Sequence, residues 1–474
     1  MGVRPGAKEE QASPACMQHP HNFNNCFCWW TMSEKIRVCV IGAGPAGCCA
    51  LRHLTAESDK FEAVSYERNI VPGGVWAYTD RTGKDETGLP VHSAMYDKLK
   101  INVPKELQEF PGFPYPKEWK TSYISRQQCL QYINNFIDHF NIRKNIKLHI
   151  VVRDVSPIEI PGSKKVKWNV VISDTRKMDD VTTEIFDFVF VCIGHDSNEY
   201  IPNIPGMEDF KGKIMHSRNY RHAELFEGLD VALLGIHYTG EDVSMQIARF
   251  ARKVYACHDR DNFPPSFPSH IEQHKPFKRM TKNGIVLPDG KEVKVDVVMF
   301  CTGYRYSYPF LKNDIIQVND ERITPIYKHM IHIKYPSLIF FNIPRQWSYF
   351  PHFNEFAKLA VRIADGRVKL PTEKEMIKDS EDDYQKRLEQ GLKPRYAHYM
   401  GDIDRQWGYN KDLAKMGGFE PLPPVLEKLW DDVMDERYMN ITHNTEFNYE
   451  ITGKDSYKIL NPEGSKTRLS KASG

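Results

Sequence analysis

The sequence predicts an α/β protein made of two dinucleotide-binding, Rossmann-like domains, a larger one interrupted by a smaller one, with a helical C-terminal segment. Three observations carry this. Strand, glycine turn and helix follow one another twice, far apart, at IRVCVIGAGPAGCCALRHL (36–54) and LDVALLGIHYTGEDVSMQIARFA (229–251). The apolar runs FDFVFVCIG, VDVVMFCTG and SLIFFN lack the polar alternation of one-sided strands, as expected of parallel strands covered on both faces. Beyond about residue 345 the text turns aromatic, charged and helical in spacing.

Composition sets the limits. The chain has 474 residues, which at roughly 150 residues per domain suggests two or three packed units. With 41% hydrophobic and 27% charged residues, whole-chain disorder and fibrous classes are excluded. Lys and Arg number 64 against 62 Asp and Glu, a net of +2, so no strong field draws a phosphate backbone, and nucleic acid is excluded as a partner. No run approaches the roughly 18 apolar residues of a bilayer span, so no membrane anchor is expected. Cys39, Cys192 and Cys301 lie inside apolar runs, where a small buried thiol is the common reading, and a reducing, cytoplasmic location follows. The opening MGVRPG has Gly6 where a myristoylation signal wants Ser or Thr. Residues 1–33 read as a disordered extension. Within it His19, His21, Cys26 and Cys28 lack C-x-x-C spacing, and no metal site is expected.

The first turn is Gly42-Ala43-Gly44-Pro45-Ala46-Gly47. Gly42 permits the tight bend, Gly44 lets backbone N–H groups reach a pyrophosphate, and Gly47 lets helix and strand pack closely. Glu67 ends the second strand, EAVSYE, 25 residues after Gly42. An acid there hydrogen-bonds a ribose hydroxyl and repels a 2′-phosphate, so the ligand of this turn is FAD or NAD.

The second turn is Gly235-Ile236-His237-Tyr238-Thr239-Gly240, with His237 where the middle glycine belongs. A side chain there is expected to crowd a pyrophosphate, setting the loop further off or loosening binding. At the next strand end Arg260 suits a 2′-phosphate while Asp259 opposes it, so charge leaves NADPH against NADH open.

Between the turns, Phe210, Gly212, His216 and Tyr220 form F-x-G-x-x-x-H-x-x-x-aromatic. Pro72-Gly73-Gly74-Val75-Trp76, Ile101-Asn102-Val103-Pro104-Lys105-Glu106, Phe113-Pro114-Tyr115-Pro116, Cys192-Ile193-Gly194-His195 and Phe300-Cys301-Thr302-Gly303-Tyr304 accompany it in order. With these motifs the span from about Arg37 to Trp407 resembles the flavin-containing monooxygenases. His237-Tyr238-Thr239 and Gln346-Trp347 look most like the trimethylamine monooxygenase branch and its soluble animal N-oxygenase relatives, although other members place Asn where this chain has Tyr238. The hydrophobic C-terminal anchor of the microsomal members is missing.

The resemblance implies FAD on the first unit and NADPH on the second. It implies an FAD-binding domain begun by 34–200, an inserted NADP-binding domain at 201–315, completion of the FAD domain and a helical region at 316–452, and a polar tail at 453–474. It implies that a C4a-hydroperoxyflavin formed from O₂ oxygenates a soft nucleophile, a trimethylamine-like tertiary amine giving an N-oxide or a sulfide. The protein supplies orientation and water exclusion. Asn102 and Tyr238 are the implied catalytic residues. Gly74, Val75, Trp76, Gly194, His216, Thr302 and Gly303 join the two glycine turns, Glu67 and Arg260 around the cofactors, with His216 holding the interdomain loop. A homodimer is left open.

Three other readings compete. Disulfide reductases need a redox cysteine pair beside the flavin, whereas Cys48 and Cys49 are adjacent inside the first helix. Ketone-oxidising monooxygenases end the linker motif in Trp-Pro or Trp-Asp, where this chain has Tyr220-Arg221. A non-catalytic nucleotide sensor would follow if His237 marked a degenerate second site.

Overall fold

The computed structural model describes residues 35–163, 165–260, 263–341, 343–345, 349–400 and 403–460. The readings made on 1–33 and on Gln346-Trp347 lie outside the described residues.

The first strand, Ile36–Ile41, is an interior strand of a seven-stranded sheet. It pairs in parallel with Phe61–Tyr66 on one side and Phe188–Val191 on the other. Its apolar run has no polar alternation because both faces are covered: Val38 and Val40 enter one core, Cys39 and Ile41 another. Helices Pro45–Ala56, Arg126–His139 and Tyr349–Ala364 fill the first core. A three-stranded antiparallel meander, Ile150–Glu159, Val166–Asp174 and Lys177–Phe186, fills the second.

The smaller unit repeats this plan. Five parallel strands run in the order Ile271–His274, Lys253–Cys257, Asp230–Leu234, Val297–Phe300, Lys213–His216. Val231 and Leu233 pack toward helix Tyr238–Ile247, while Ala232 and Leu234 pack toward a second antiparallel meander, Arg279–Thr281, Gly284–Val286 and Glu292–Lys294. The first sheet then resumes: Leu338–Phe340 pairs in parallel with Phe188–Val191. The small sheet is therefore an insertion into the large one, and the two chain crossings lie side by side, Asn198–Glu199 antiparallel to Tyr304–Arg305.

Helices Glu373–Glu389, Ile403–Gly417 and Pro424–Met439 follow. The polar stretch read from 453 onward begins, at 453–460, in regular structure, and 461–474 lie outside the described residues. Asn448–Ile451 pairs with Tyr457–Leu460 in an antiparallel hairpin whose turn contains Gly453, and Tyr449 and Tyr457 pack it against helix Pro424–Met439. Its other residues are mostly exposed. Among the described residues, no helix is long and apolar enough to cross a membrane.

His332 supplies a pH test. It is 1% exposed; its Nε2–H donates to the Ile315 carbonyl at 2.7 Å and its Nδ1 accepts the Tyr335 N–H at 2.9 Å, which fixes the neutral ring. Burial lowers its pKa to about 4. As pH falls below the ordinary histidine value of about 6.5 the unfolded chain takes the proton first, so stability present at neutral pH is lost between about 6.5 and 4. The thermal midpoint is expected to fall between pH 7 and pH 5, and to fall less in His332→Gln; equal slopes would contradict this.

Candidate active site

The two glycine turns are built alike. Gly42 has φ +101° and Gly235 has φ +92°, and a Cβ on either would stand 2.7 or 2.8 Å from the carbonyl oxygen of Cys192 or Cys301 on the neighboring strand end. A Cβ at Gly47 would lie 1.9 Å from the Gly42 oxygen, and one at Gly240 would lie 2.4 Å from the Gly235 oxygen. Only glycine lets each helix start this close to its strand. Gly44 and His237 are the respective N-caps, both in extended backbone and neither capped by a side chain, so each helix offers backbone N–H groups to an anion.

Around the first turn, Pro45 is the first helical residue and Ala46 is buried. Gly74 approaches Gly44 backbone to backbone, and the Gly73 N–H donates to the Ala43 oxygen at 2.9 Å. Glu67 is 5% exposed and has no cation partner among the described residues. One carboxylate oxygen accepts the Ala43 N–H at 2.8 Å, the other the Asn69 N–H at 2.9 Å. Burial raises its pKa and those backbone donors oppose the rise. Each oxygen keeps a lone pair, and the site fits a dinucleotide ribose with its pyrophosphate on the helix end. Cys48 and Cys49 face the core, where burial pushes both thiols up, Cys49 to about 12. No thiolate stands at this turn.

At the second turn the His237 backbone, with φ −113° and ψ −164°, is open to any residue, and its side chain is exposed. Ile236 is a core side chain and Thr239 is exposed. Arg260 is not free: its Nη1 donates to the Ile236 oxygen at 3.1 Å and to the buried Glu241 carboxylate. Glu241 also receives Arg437 from the C-terminal helix. The Tyr238 ring lies 4.5 Å beneath the Arg437 guanidinium and its hydroxyl donates to Met434 Sδ at 3.2 Å. Burial holds that phenol protonated.

Asn102 lies between buried Ile101 and Val103, with its own side chain exposed and making no hydrogen bond among the described residues. Val103 shares a cluster with Leu429, Trp430 and Val433 of helix Pro424–Met439. One helix thus borders both implied catalytic residues. Trp76 packs against the cores of both domains, and the Val75 oxygen accepts Ser93 Oγ at 2.6 Å.

His216 is a structural linchpin of the crossings. Its Nε2–H donates to the Gly303 oxygen at 3.0 Å while Nδ1 accepts the Arg218 N–H at 3.1 Å, and burial lowers its pKa, so it stays neutral. The Gly303 oxygen also accepts the Tyr200 N–H at 3.0 Å, and Thr302 Oγ1 donates to the Tyr200 oxygen. Gly194 turns the other crossing at φ +70°.

Sequence reasoning missed the residues that join the domains. Arg221 is 5% exposed, and its five N–H groups donate to the carbonyls of Thr79, Arg81, Ser93, Arg218 and Tyr220 at 2.8–2.9 Å. Arg218 donates to the Val91 oxygen, and Tyr96 donates to Asp242 on the second nucleotide helix. The arginine after the linker motif was the available signal; Arg437, 196 residues from Glu241, had none.

The profile of the flavin-binding monooxygenase-like family matches residues 35–266 and 260–421. The chain is 31% identical over 436 residues to senecionine N-oxygenase of Tyria jacobaeae, covering 90% of this chain and 92% of that protein. Among solved structures, S-allyl-L-cysteine S-oxygenase of Allium sativum matches with a TM-score of 0.79 at 30% identity, over 86% of this chain and 94% of that one. Tmm of Pelagibacter matches with a TM-score of 0.77 at 27% identity, over 90% and 96%.

Two substitutions separate the turns. Gly47→Ala is expected to yield protein without bound flavin, and Gly240→Ala yellow protein whose flavin NADPH no longer reduces under argon. Absorbance at purification and after NADPH addition checks both. Arg221→Lys keeps the charge but has three donors for five carbonyls. It is expected to lower the thermal midpoint by several degrees, and an unchanged midpoint would show the clasp to be dispensable.

Proposed function

The chain belongs to the flavin-binding monooxygenase-like family, which uses FAD and NADPH, and we propose that it oxygenates soft nucleophiles: a trimethylamine-like tertiary amine, giving the N-oxide, or a sulfide sulfur. The observation that carries this reading is the pair of like-built nucleotide turns in domains joined by buried polar contacts, together with an exposed amide at Asn102 that makes no hydrogen bond among the described residues. Relatives named for oxygenation at nitrogen and at sulfur support both product classes. The undistorted backbone at His237 speaks against a degenerate second site.

Bound FAD, reduced by NADPH, supplies an electrophilic oxygen derived from O₂. The chain's residues bind, orient and exclude water. In this reading the domain at 34–200, completed by 316–452, carries FAD on the 42–47 turn with Glu67 on its ribose. The domain at 201–315 carries NADPH on the 235–240 turn, with Arg260 as the cation for its 2′-phosphate. Gly74, Val75 and Trp76 wall the flavin side, and Gly194, Thr302, Gly303 and His216 keep the crossings in register. Asn102 is the stronger catalytic candidate, since its amide is open to hydrogen-bond the reacting oxygen whereas the Tyr238 hydroxyl is engaged by Met434. The described cysteines are all unpaired thiols, which supports a reducing, cytoplasmic location.

The test is NADPH consumption by the purified protein with trimethylamine, bulky tertiary amines, thioethers and a cyclic ketone, with products identified. N-oxide or sulfoxide formation is expected. Ester from the ketone without either product would overturn the reading. Asn102→Ser is expected to keep FAD and to raise H₂O₂ released per NADPH by about fivefold, the size of a lost hydrogen bond of about 1 kcal/mol. Unchanged coupling would remove the proposed role.

A further inference from the structure

The charges at the second turn do not suit a 2′-phosphate when only sequence neighbors are counted. In the chain Asp259 and Asp261 flank Arg260, and Arg260 is spent on Glu241. Glu241 sits on the first turn of helix Tyr238–Ile247, its side chain only 4% exposed. Such a carboxylate cannot release its partner to a ligand without being left as a buried unpaired charge, which is strongly unfavorable.

The C-terminal helix changes this balance. Arg437, with its side chain 12% exposed, donates to Glu241 Oε2, while Arg260, 26% exposed, holds Oε1. The two guanidinium groups thus share one carboxylate from opposite sides. Arg437 is itself fixed: it lies over the Tyr238 ring at 4.5 Å, on a helix anchored by Leu426, Leu429, Trp430 and Val433. Arg260 is the more open of the two and stands over the Phe263 ring at 5.4 Å. With Arg437 in place, Glu241 keeps a cation partner when Arg260 turns outward.

We infer that Arg437 is a specificity-determining positioning residue, which holds Glu241 so that Arg260 is free to receive a 2′-phosphate and thereby sets preference for the phosphorylated dinucleotide over the unphosphorylated one. The inference rests on the reading that the second turn binds NADPH, and it adds a residue from a distant element to that site.

The test uses the flavin-loaded protein and two ligands that carry only the adenosine half, 2′,5′-ADP and 5′-AMP, with dissociation constants from titration calorimetry. The wild type is expected to prefer 2′,5′-ADP. Arg437→Met is expected to weaken 2′,5′-ADP by about tenfold and to leave 5′-AMP unchanged, since a lost charge pair in a partly buried site has that size. Glu241→Gln removes the carboxylate that holds Arg260. It is expected to tighten 2′,5′-ADP in the wild-type background and to restore it in the Arg437→Met background. Equal weakening of both ligands in Arg437→Met, or no weakening of either, overturns the inference, as does Glu241→Gln without gain should Arg437→Met fail to fold. A wild type that binds neither ligand defeats the NADPH site itself, a different outcome from wild-type binding that the variants leave unaltered.

Discussion

A buried guanidinium holds the two domains in register. Arg221 gives all its donors to backbone carbonyls drawn from the 79–93 loop of the large domain and the 218–220 turn of the small one. A charge so far from water is tolerable only when every donor is taken, and carbonyl dipoles do this without a carboxylate. Nothing flexible stands between the joined segments: the 79–93 loop follows directly on Trp76 and leads through Tyr96 to Asn102, and the 218–220 turn follows His216. The positions of Trp76 and Asn102 are therefore tied to the small domain through Arg221. Tyr96 on Asp242 and Arg218 on the Val91 oxygen add to the same seam.

The repeated construction explains why such a seam is needed. Each domain is a sheet between one helical layer and one antiparallel meander. Apolar burial joins them as well: Tyr96 and Leu99 of the large domain and Ile441 of the C-terminal region are buried in the small domain's core, and Trp76 packs against the cores of both. Apolar contact is non-directional, and the polar contacts of the seam add the direction that fixes a mutual angle.

Local patterns in the chain were enough to find the turns, because each requirement is met within a few residues: a strand, a glycine where a Cβ would strike Gly42 or Gly235, a helix. The insertion of one domain into the other was legible from the order of the units. What escaped is long-range. The meander strand Lys177–Phe186 reads as polar because it lies at the edge with most side chains exposed, and the 448–460 hairpin has Tyr449 and Tyr457 to mark it. His237 is expected to crowd a pyrophosphate through its side chain; its N-cap backbone is extended and open to any residue. Arg437 carries no local mark, since it matters only through a carboxylate 196 residues away.

The two turns treat their buried acids differently. Glu67 is held by the backbone N–H groups of Ala43 and Asn69, an arrangement that in the proposed reading accepts ribose hydroxyls. Glu241 is matched by two arginines. In the proposed reading, similar backbone geometry then suits a bare ribose at one turn and a phosphorylated one at the other. The difference lies in which elements each acid meets: a strand-end loop at the first turn, and at the second a helix that the chain adds only after both sheets are complete.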